Sequence, residues 1–301
     1  MRTINFMGVR HIAVAISLIL TLAAVGAIAV KGLNFGLDFT GGTLIELSYS
    51  EPAELGQIRE TLQRNGYVDA VVQSFGSLTD ILIRTPGDDP ELGNQIAQTL
   101  RDSSQADFVI NKVEFVGPAV GEELRDQGGL GMLAAMAGIL VYLGFRFQWK
   151  FGVGAIVGLF HDTIITLGVF ALFGWQFDLT VLAAILALIG YSLNDTIVIF
   201  DRVRENFRLL RNTSLIDNIN ISTTQTLMRT LATSISTSFA VAALLIFGGD
   251  NLCGFSVALL IGIFVGTFST IFVANPVLIW LKLKVEDLIP PVVEREVDEV
   301  P

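Results

Sequence analysis

The chain has 301 residues, 52% of them hydrophobic and 16% charged, with a mean hydropathy of +0.63 and a formal net charge of -10. That composition belongs to a membrane protein and excludes an ordinary soluble domain. One cysteine, Cys253, excludes an intrachain disulfide, and two histidines leave little material for a metal site, so no metal or redox cofactor is expected.

Apolar runs at about 12–30, 129–145, 151–173, 179–200, 230–248 and 255–281 each approach or exceed the roughly 20 helical residues that cross a ~30 Å hydrocarbon core. Six spanning helices are predicted. Arg2 and Arg10 before the first run and Ala27-Ile28-Ala29 near its end imitate a secretory signal. The apolar length of about 19 exceeds the roughly 7 to 15 of a signal core, which favours a retained helix.

Gly36-Leu37-Asp38-Phe39-Thr40-Gly41-Gly42-Thr43 follows that helix. Paired glycines permit backbone angles closed to other residues. Gly36, Asp38, Gly41 and Gly42 are therefore expected to form a tight turn that fixes the next domain against the membrane, with direct substrate contact as the alternative.

The loop from Lys31 to Gly128, roughly 95 residues, is too long and too patterned for a simple connection. Thr43–Ser50 alternates like a strand, and Pro52–Arg64 carries Leu55, Ile58 and Leu62 at helical spacing. Val68–Ser74 and Asp80–Arg84 read as strands, Pro90–Leu100 as a helix and Phe108–Val116 as a last strand. The order βαββαβ is that of a ferredoxin-like α+β domain. Its excess of 16 Asp and Glu over seven Lys and Arg between 31 and 126 points to a solvated exterior rather than a catalytic pocket.

Gly152, Gly154 and Gly158, and later Gly262 and Gly266, match small-residue helix contacts. His161-Asp162 lies about a third of the way into the third helix, where a proton-passing pair and a hydrogen-bonded packing element are equally open readings.

The fourth helix holds Asn194 and Asp195 in GYSLNDTIVIF. An ionised carboxylate near a helix centre costs about 2.5 to 3.5 kcal/mol on insertion scales, so such a residue is a functional candidate by default. Asp195 is about six residues, or roughly 9 Å, from the boundary near Asp201. Ser192, Asp195, Thr196 and Ile199 recur at spacings of three and four, and the first three point into the bundle while Asn194 lies about 100° away. A titrating carboxylate and a structural clamp both fit that face.

Between Asp201 and Gln225 the mixed Arg, Asn and aliphatic pattern suggests an interfacial helix. Arg229 follows, beside a hydroxyl stripe of Thr226, Thr230, Thr233 and Thr237, with Ser236 adjoining. It is either the partner of Asp195 or an anchor that snorkels to the membrane surface.

Arg2, Arg10, Arg146, Lys150, Arg202, Arg204, Arg208, Arg211, Lys282 and Lys284 fall on one side, whereas the loops at 174–178 and 248–254 hold no Lys or Arg. By the positive-inside rule both termini are cytoplasmic. The Asn212 sequon then faces the cytoplasm, which discounts glycosylation. The expected divisions are a cytoplasmic N-terminus and first helix at 1–35, a periplasmic domain at 36–127, a five-helix bundle at 128–283, and a disordered tail at 284–301. No P-loop or soluble catalytic motif occurs, so the chain is not expected to be an enzyme, to hydrolyse nucleotide or to bind nucleic acid.

Four stretches, GLDFTGGT at 36–43, VGPAVGEEL at 116–124, FHDTIITLG at 160–168 and GYSLNDTIVIFDRVREN at 190–206, continued by TQTLMRTLATS at 224–234, resemble the SecF family. That family supplies the smaller subunit of the bacterial SecDF complex. The resemblance implies a resistance-nodulation-division type fold of which six helices are one half and SecD the other. It implies an accessory role in preprotein export across the inner membrane, driven by the proton motive force, alongside the SecYEG channel and the SecA ATPase. The family's proton-relay acid falls on Asp195 and its basic partner on Arg229; Asp162 lies in a family motif and joins them as a candidate. A small-solute antiporter and a passive scaffold subunit are the rival readings.

Overall fold

The structure is a computed structural model that describes residues 3–74, 77–103, 107–210 and 213–284. Arg2 and Arg211 of the charge pattern, Asn212 of the sequon and the tail from 285 lie outside the described residues.

The chain enters helix α1, Arg10–Lys31, which stops at Gly32, a glycine with φ of 71°. Short elements follow, strand β1 (Asn34–Phe35) and helix α2 (Leu37–Thr40), then β2 (Gly42–Tyr49), α3 (Leu55–Arg64), β3 (Val71–Ser74), β4 (Asp80–Thr85), α4 (Leu92–Ser103) and β5 (Phe108–Val116). Four long helices come next, α5 (Pro118–Arg146), α6 (Trp149–Phe173), α7 (Leu179–Leu209) and α8 (Leu215–Phe247), with the two-residue strand β6 (Gln176–Phe177) before α7. Helix α9 (Asp250–Ser269) runs through a π turn at Thr270–Ala274 into α10 (Asn275–Trp280).

Two compact units emerge. One comprises residues 34–133 together with 176–179, and the other holds the remaining helical segments. In the α/β unit the antiparallel sheet has the order β3-β4-β2-β5, the ferredoxin-like arrangement expected from the βαββαβ pattern. Alternation along β2 sends Ile45, Leu47 and Tyr49 to the face covered by Ile58 and Leu62 of α3 and Ile96 and Leu100 of α4. Leu44 points the other way and meets Leu82 and Leu37 of α2. Each face of the sheet thus has apolar cover, which is why the strand reads as nearly continuously buried.

Six segments are long and apolar enough to cross a membrane: Met7–Lys31, Pro118–Arg146, Trp149–Phe173, Leu179–Leu209, Leu215–Phe247 and Asn251–Trp280. Helix α7 is 56% buried in its most apolar window and α5 only 6%, so α6, α7 and α9–α10 form the interior while α1, α5 and α8 line the outside. Small residues set the close crossings. A Cβ at Gly154 would lie 3.0 Å from the carbonyl oxygen of Ala274, and one at Gly262 would lie 2.4 Å from Leu188. Gly152 has nothing within 4 Å and plays no such part. The tightest crossing is at Gly168, where a Cβ would stand 2.2 Å from that of Ala24.

The segment between Asp201 and Gln225 is not a separate interfacial helix. It divides between the end of α7 and the start of α8, joined by side-chain amides. Asn206 Nδ2 donates to Ser222 Oγ at 2.8 Å and to Gln225 Oε1 at 2.9 Å, and Asn220 Oδ1 accepts from the Met7 N–H at 2.9 Å. Asn206 and Asn220, which mimic a surface helix in sequence, are in fact partnered inside the protein.

Candidate functional site

Helix α7 presents Ser192, Asp195, Thr196 and Ile199 to the interior, all buried, and leaves Asn194 exposed. The periodicity expected of this face is therefore the one the fold uses. Asp195 is 4% exposed, and among the described residues its carboxylate accepts no hydrogen bond and forms no direct ion pair. Arg229 on α8 is itself exposed but close enough to act on Asp195 through its charge.

Asp162 on α6 is bonded on both carboxylate oxygens and is 1% exposed. Its Oδ2 accepts hydrogen bonds from Ser192 Oγ of α7 and, at 2.9 Å, from Ser269 Oγ of α9. Its Oδ1 lies 2.9 Å from Nδ1 of the neighbouring His161, and its backbone carbonyl accepts from Thr166 Oγ1 at 2.8 Å. Gly266 supplies the room: a Cβ there would be 3.1 Å from Ser192 Oγ and 3.4 Å from Asp162 Oδ2. One carboxylate thus joins three helices.

One turn along α7, Thr196 Oγ1 is 3.1 Å from Thr270 Oγ1 in the π turn. The π turn has a local cause, because Pro276 has no N–H and its ring conflicts with the carbonyl four residues earlier. Asn275 Nδ2 donates to the Thr270 and Ile271 carbonyls at 3.2 and 3.4 Å, taking up acceptors that a regular helix would have satisfied. Ser269, Thr270 and Asn275 were missed in the sequence reading. Their signal is present as Ser269-Thr270 and Asn275-Pro276, polar and helix-breaking pairs inside an apolar run.

The hydroxyl stripe of α8 is only partly an interior surface. Thr226 and Thr230 are buried, while Thr233 donates to its own helix carbonyls at Arg229 and Thr230. Ser236 is exposed, and it is Ser234 that reaches inward, 2.9 Å from Thr267 Oγ1 of α9.

The GLDFTGG residues lie in the α/β unit. Gly41 and Gly42 have φ of 65° and 109°, values that other residues adopt only under strain. Gly36 precedes α2, and Asp38 lies within it. No group of three or more metal-ligating side chains occurs among the described residues. The buried carboxylates, hydroxyls and imidazole of α6, α7 and α9 are groups able to exchange protons and, through the bonds above, to pin these helices together.

Family models for the "Protein export membrane protein SecD/SecF, C-terminal" region and the "SecD/SecF GG Motif" match residues 95–284 and 26–53. Protein translocase subunit SecF of Pseudomonas aeruginosa is 62% identical over 99% of this chain and 98% of its own length. The Vibrio alginolyticus protein of that name is 47% identical over 100% and 98%, and the Escherichia coli O157:H7 protein 42% identical over 97% and 92%. The crystal structure of SecDF from Thermus thermophilus, described as a translocon-associated membrane protein, superposes with a TM-score of 0.85 at 36% identity. It covers 94% of this chain, which spans 39% of the SecDF chain. With matches of this extent, the chain belongs to the SecF family of protein translocase subunits.

Proposed function

We propose that this chain works with a SecD subunit in the bacterial inner membrane, both termini cytoplasmic, using the proton motive force to promote preprotein export through SecYEG after SecA has acted. The observation that carries this reading is Asp195, a buried carboxylate with no hydrogen bond or ion pair among the described residues, in the field of an exposed arginine. A carboxylate meant only to clamp helices would be bonded as Asp162 is. Protonation would remove a charge that is expensive in the bundle and release Arg229 from its attraction. One proton crossing 100 mV supplies about 2.3 kcal/mol, a bias of roughly fiftyfold on a two-state helix packing.

Helix α8 supports a partner half. It exposes Arg229 within a membrane-length span, and lipid does not satisfy a guanidinium as well as protein or water does. A second subunit over that face would enclose Arg229 and bring it into the same seam as Asp195. The alternatives of a solute antiporter or a passive scaffold draw no particular observation to themselves.

The test is proton-driven preprotein export into membrane vesicles carrying Asp195→Asn, with the subunit level checked by immunoblot. Loss of the proton-driven increment is expected, while export driven by ATP alone continues. Undiminished proton-driven export would end the proposal.

A further inference from the structure

The GLDFTGG segment makes bonds that the proton-carrier reading leaves unused. β1 pairs in parallel with β6, Asn34 with Gln176 and Phe35 with Phe177. The Gly36 N–H donates to the Phe177 carbonyl at 2.8 Å. Gly36 sits so near this strand that a Cβ on it would lie 2.9 Å from both Asp178 Cβ and Gln176 Nε2. The rings of Phe35, Phe39 and Phe177 pack around the junction with centroids 5.8 to 6.0 Å apart.

Asp38 completes it. Its Oδ2 accepts a hydrogen bond from the N–H of Leu179 at 3.0 Å, and Leu179 is the first residue of α7. The first N–H groups of a helix have no partner in their own helix, and an acidic acceptor there both satisfies one and opposes the helix dipole favourably. A cap ordinarily comes from the residue just before the helix; this one comes from 141 positions earlier.

The same segment is fastened on its other side. A Cβ at Gly41 would be 2.8 Å from Pro118 Cα, and one at Gly121 would be 2.7 Å from Gly41 N, so the turn packs on the first turn of α5. Arg84 of β4 donates to the Phe35 carbonyl at 3.0 Å and to Asn34 Oδ1 at 3.3 Å, tying β1 to the sheet. The first residue of α7 is thereby part of the α/β unit, and α7 continues from it in sequence without a break to Asp195.

We infer that Asp38 is a positioning residue which caps α7 from a distance, and that with the β1–β6 ladder it makes the start of α7 and the sheet a single moving part. A shift of α7 caused by proton binding then reaches the α/β domain through hydrogen bonds instead of a slack linker. This rests on the proton-carrier reading of Asp195 and adds the element that carries its motion outward.

The experiment uses vesicles containing the complex assembled with SecD, in a Cys253→Ser background, with three readouts: hydrogen exchange at Leu179, proton uptake, and proton-driven export. In Asp38→Ala the Leu179 amide is expected to exchange about fivefold faster, as for a lost cap, with proton uptake retained and proton-driven export reduced several-fold. Asp38→Asn keeps an oxygen acceptor and is expected to restore all three. A disulfide between Asn34→Cys and Gln176→Cys is expected to leave export intact, because the two strands never part. The inference is overturned if Asp38→Ala exports normally despite faster exchange, if it loses proton uptake together with export, or if the disulfide stops export. Asp195→Asn in the same assay reports on the proton carrier separately: normal export there removes that reading, whereas failure at Asp38 or at the disulfide alone leaves it standing.

Discussion

Asp162 invites a quantitative test, because its two serine partners come from different helices and can be removed singly. Ser192→Ala and Ser269→Ala each delete one donor to Oδ2 without changing backbone geometry. Side-chain hydrogen bonds inside a bilayer average about 0.6 kcal/mol, whereas bonds to a charged group are worth about 1.5 to 3 kcal/mol. With the acceptor buried, we expect about 1.5 kcal/mol per serine, roughly tenfold in the folding equilibrium. Asp162→Ala leaves both hydroxyls and His161 without their acceptor and should cost about 3 kcal/mol or more, since each buried donor left unsatisfied costs about 1 to 3 kcal/mol. Ser269 can then fall back on the Gly266 carbonyl, already 3.1 Å away. The assay is a double-mutant cycle of unfolding free energies in bicelles. In the Asp162→Ala background each serine substitution should cost less than about 0.5 kcal/mol, and strict additivity would refute the assignment of Asp162 as the hub.

Two further outcomes follow from local geometry. Gly168→Ala should destabilise the bundle by about 1 to 3 kcal/mol, as overpacking does, since its Cβ would stand 2.2 Å from that of Ala24. Adding Ala24→Gly should recover only a minor part of the loss in a thermal melt, because the Ala24 Cα, 2.5 Å from the added Cβ, remains. In the α/β domain, Ser48 and Ser77 hydroxyls donate to Asp80 and hold its carboxyl below the ordinary value of 3.8. A depressed folded-state pKa contributes stability that is present above 3.8 and lost as pH falls through the lower folded value. Hydrogen exchange of the β4 amides as a function of pH should therefore show an acid-labile component that Asp80→Asn abolishes.

The inward turn of Asp195 was legible because a helix face repeats at 3.6 residues, and four positions of one helix suffice to define it. The βαββαβ order was equally legible, since alternation and helical spacing are properties of consecutive residues, and the sheet order β3-β4-β2-β5 is the one that this order commonly adopts. The same local reasoning failed between Asp201 and Gln225, where Asn206 and Asn220 look surface-exposed in sequence and are buried in the fold. An asparagine that finds partners on another helix has the same sequence signature as one that faces water.

Residue spacing along the chain therefore determined where this protein crosses a membrane, which face of α7 carries its carboxylate and what kind of domain precedes the second span. Which polar groups meet was decided by tertiary packing alone. Ser192 and Ser269 reach Asp162 across 30 and 107 residues of chain, and Asp38 reaches Leu179 across 141. A hydrogen bond depends on a separation of about 3 Å in space, and once the chain has turned back on itself, position in sequence no longer carries that distance.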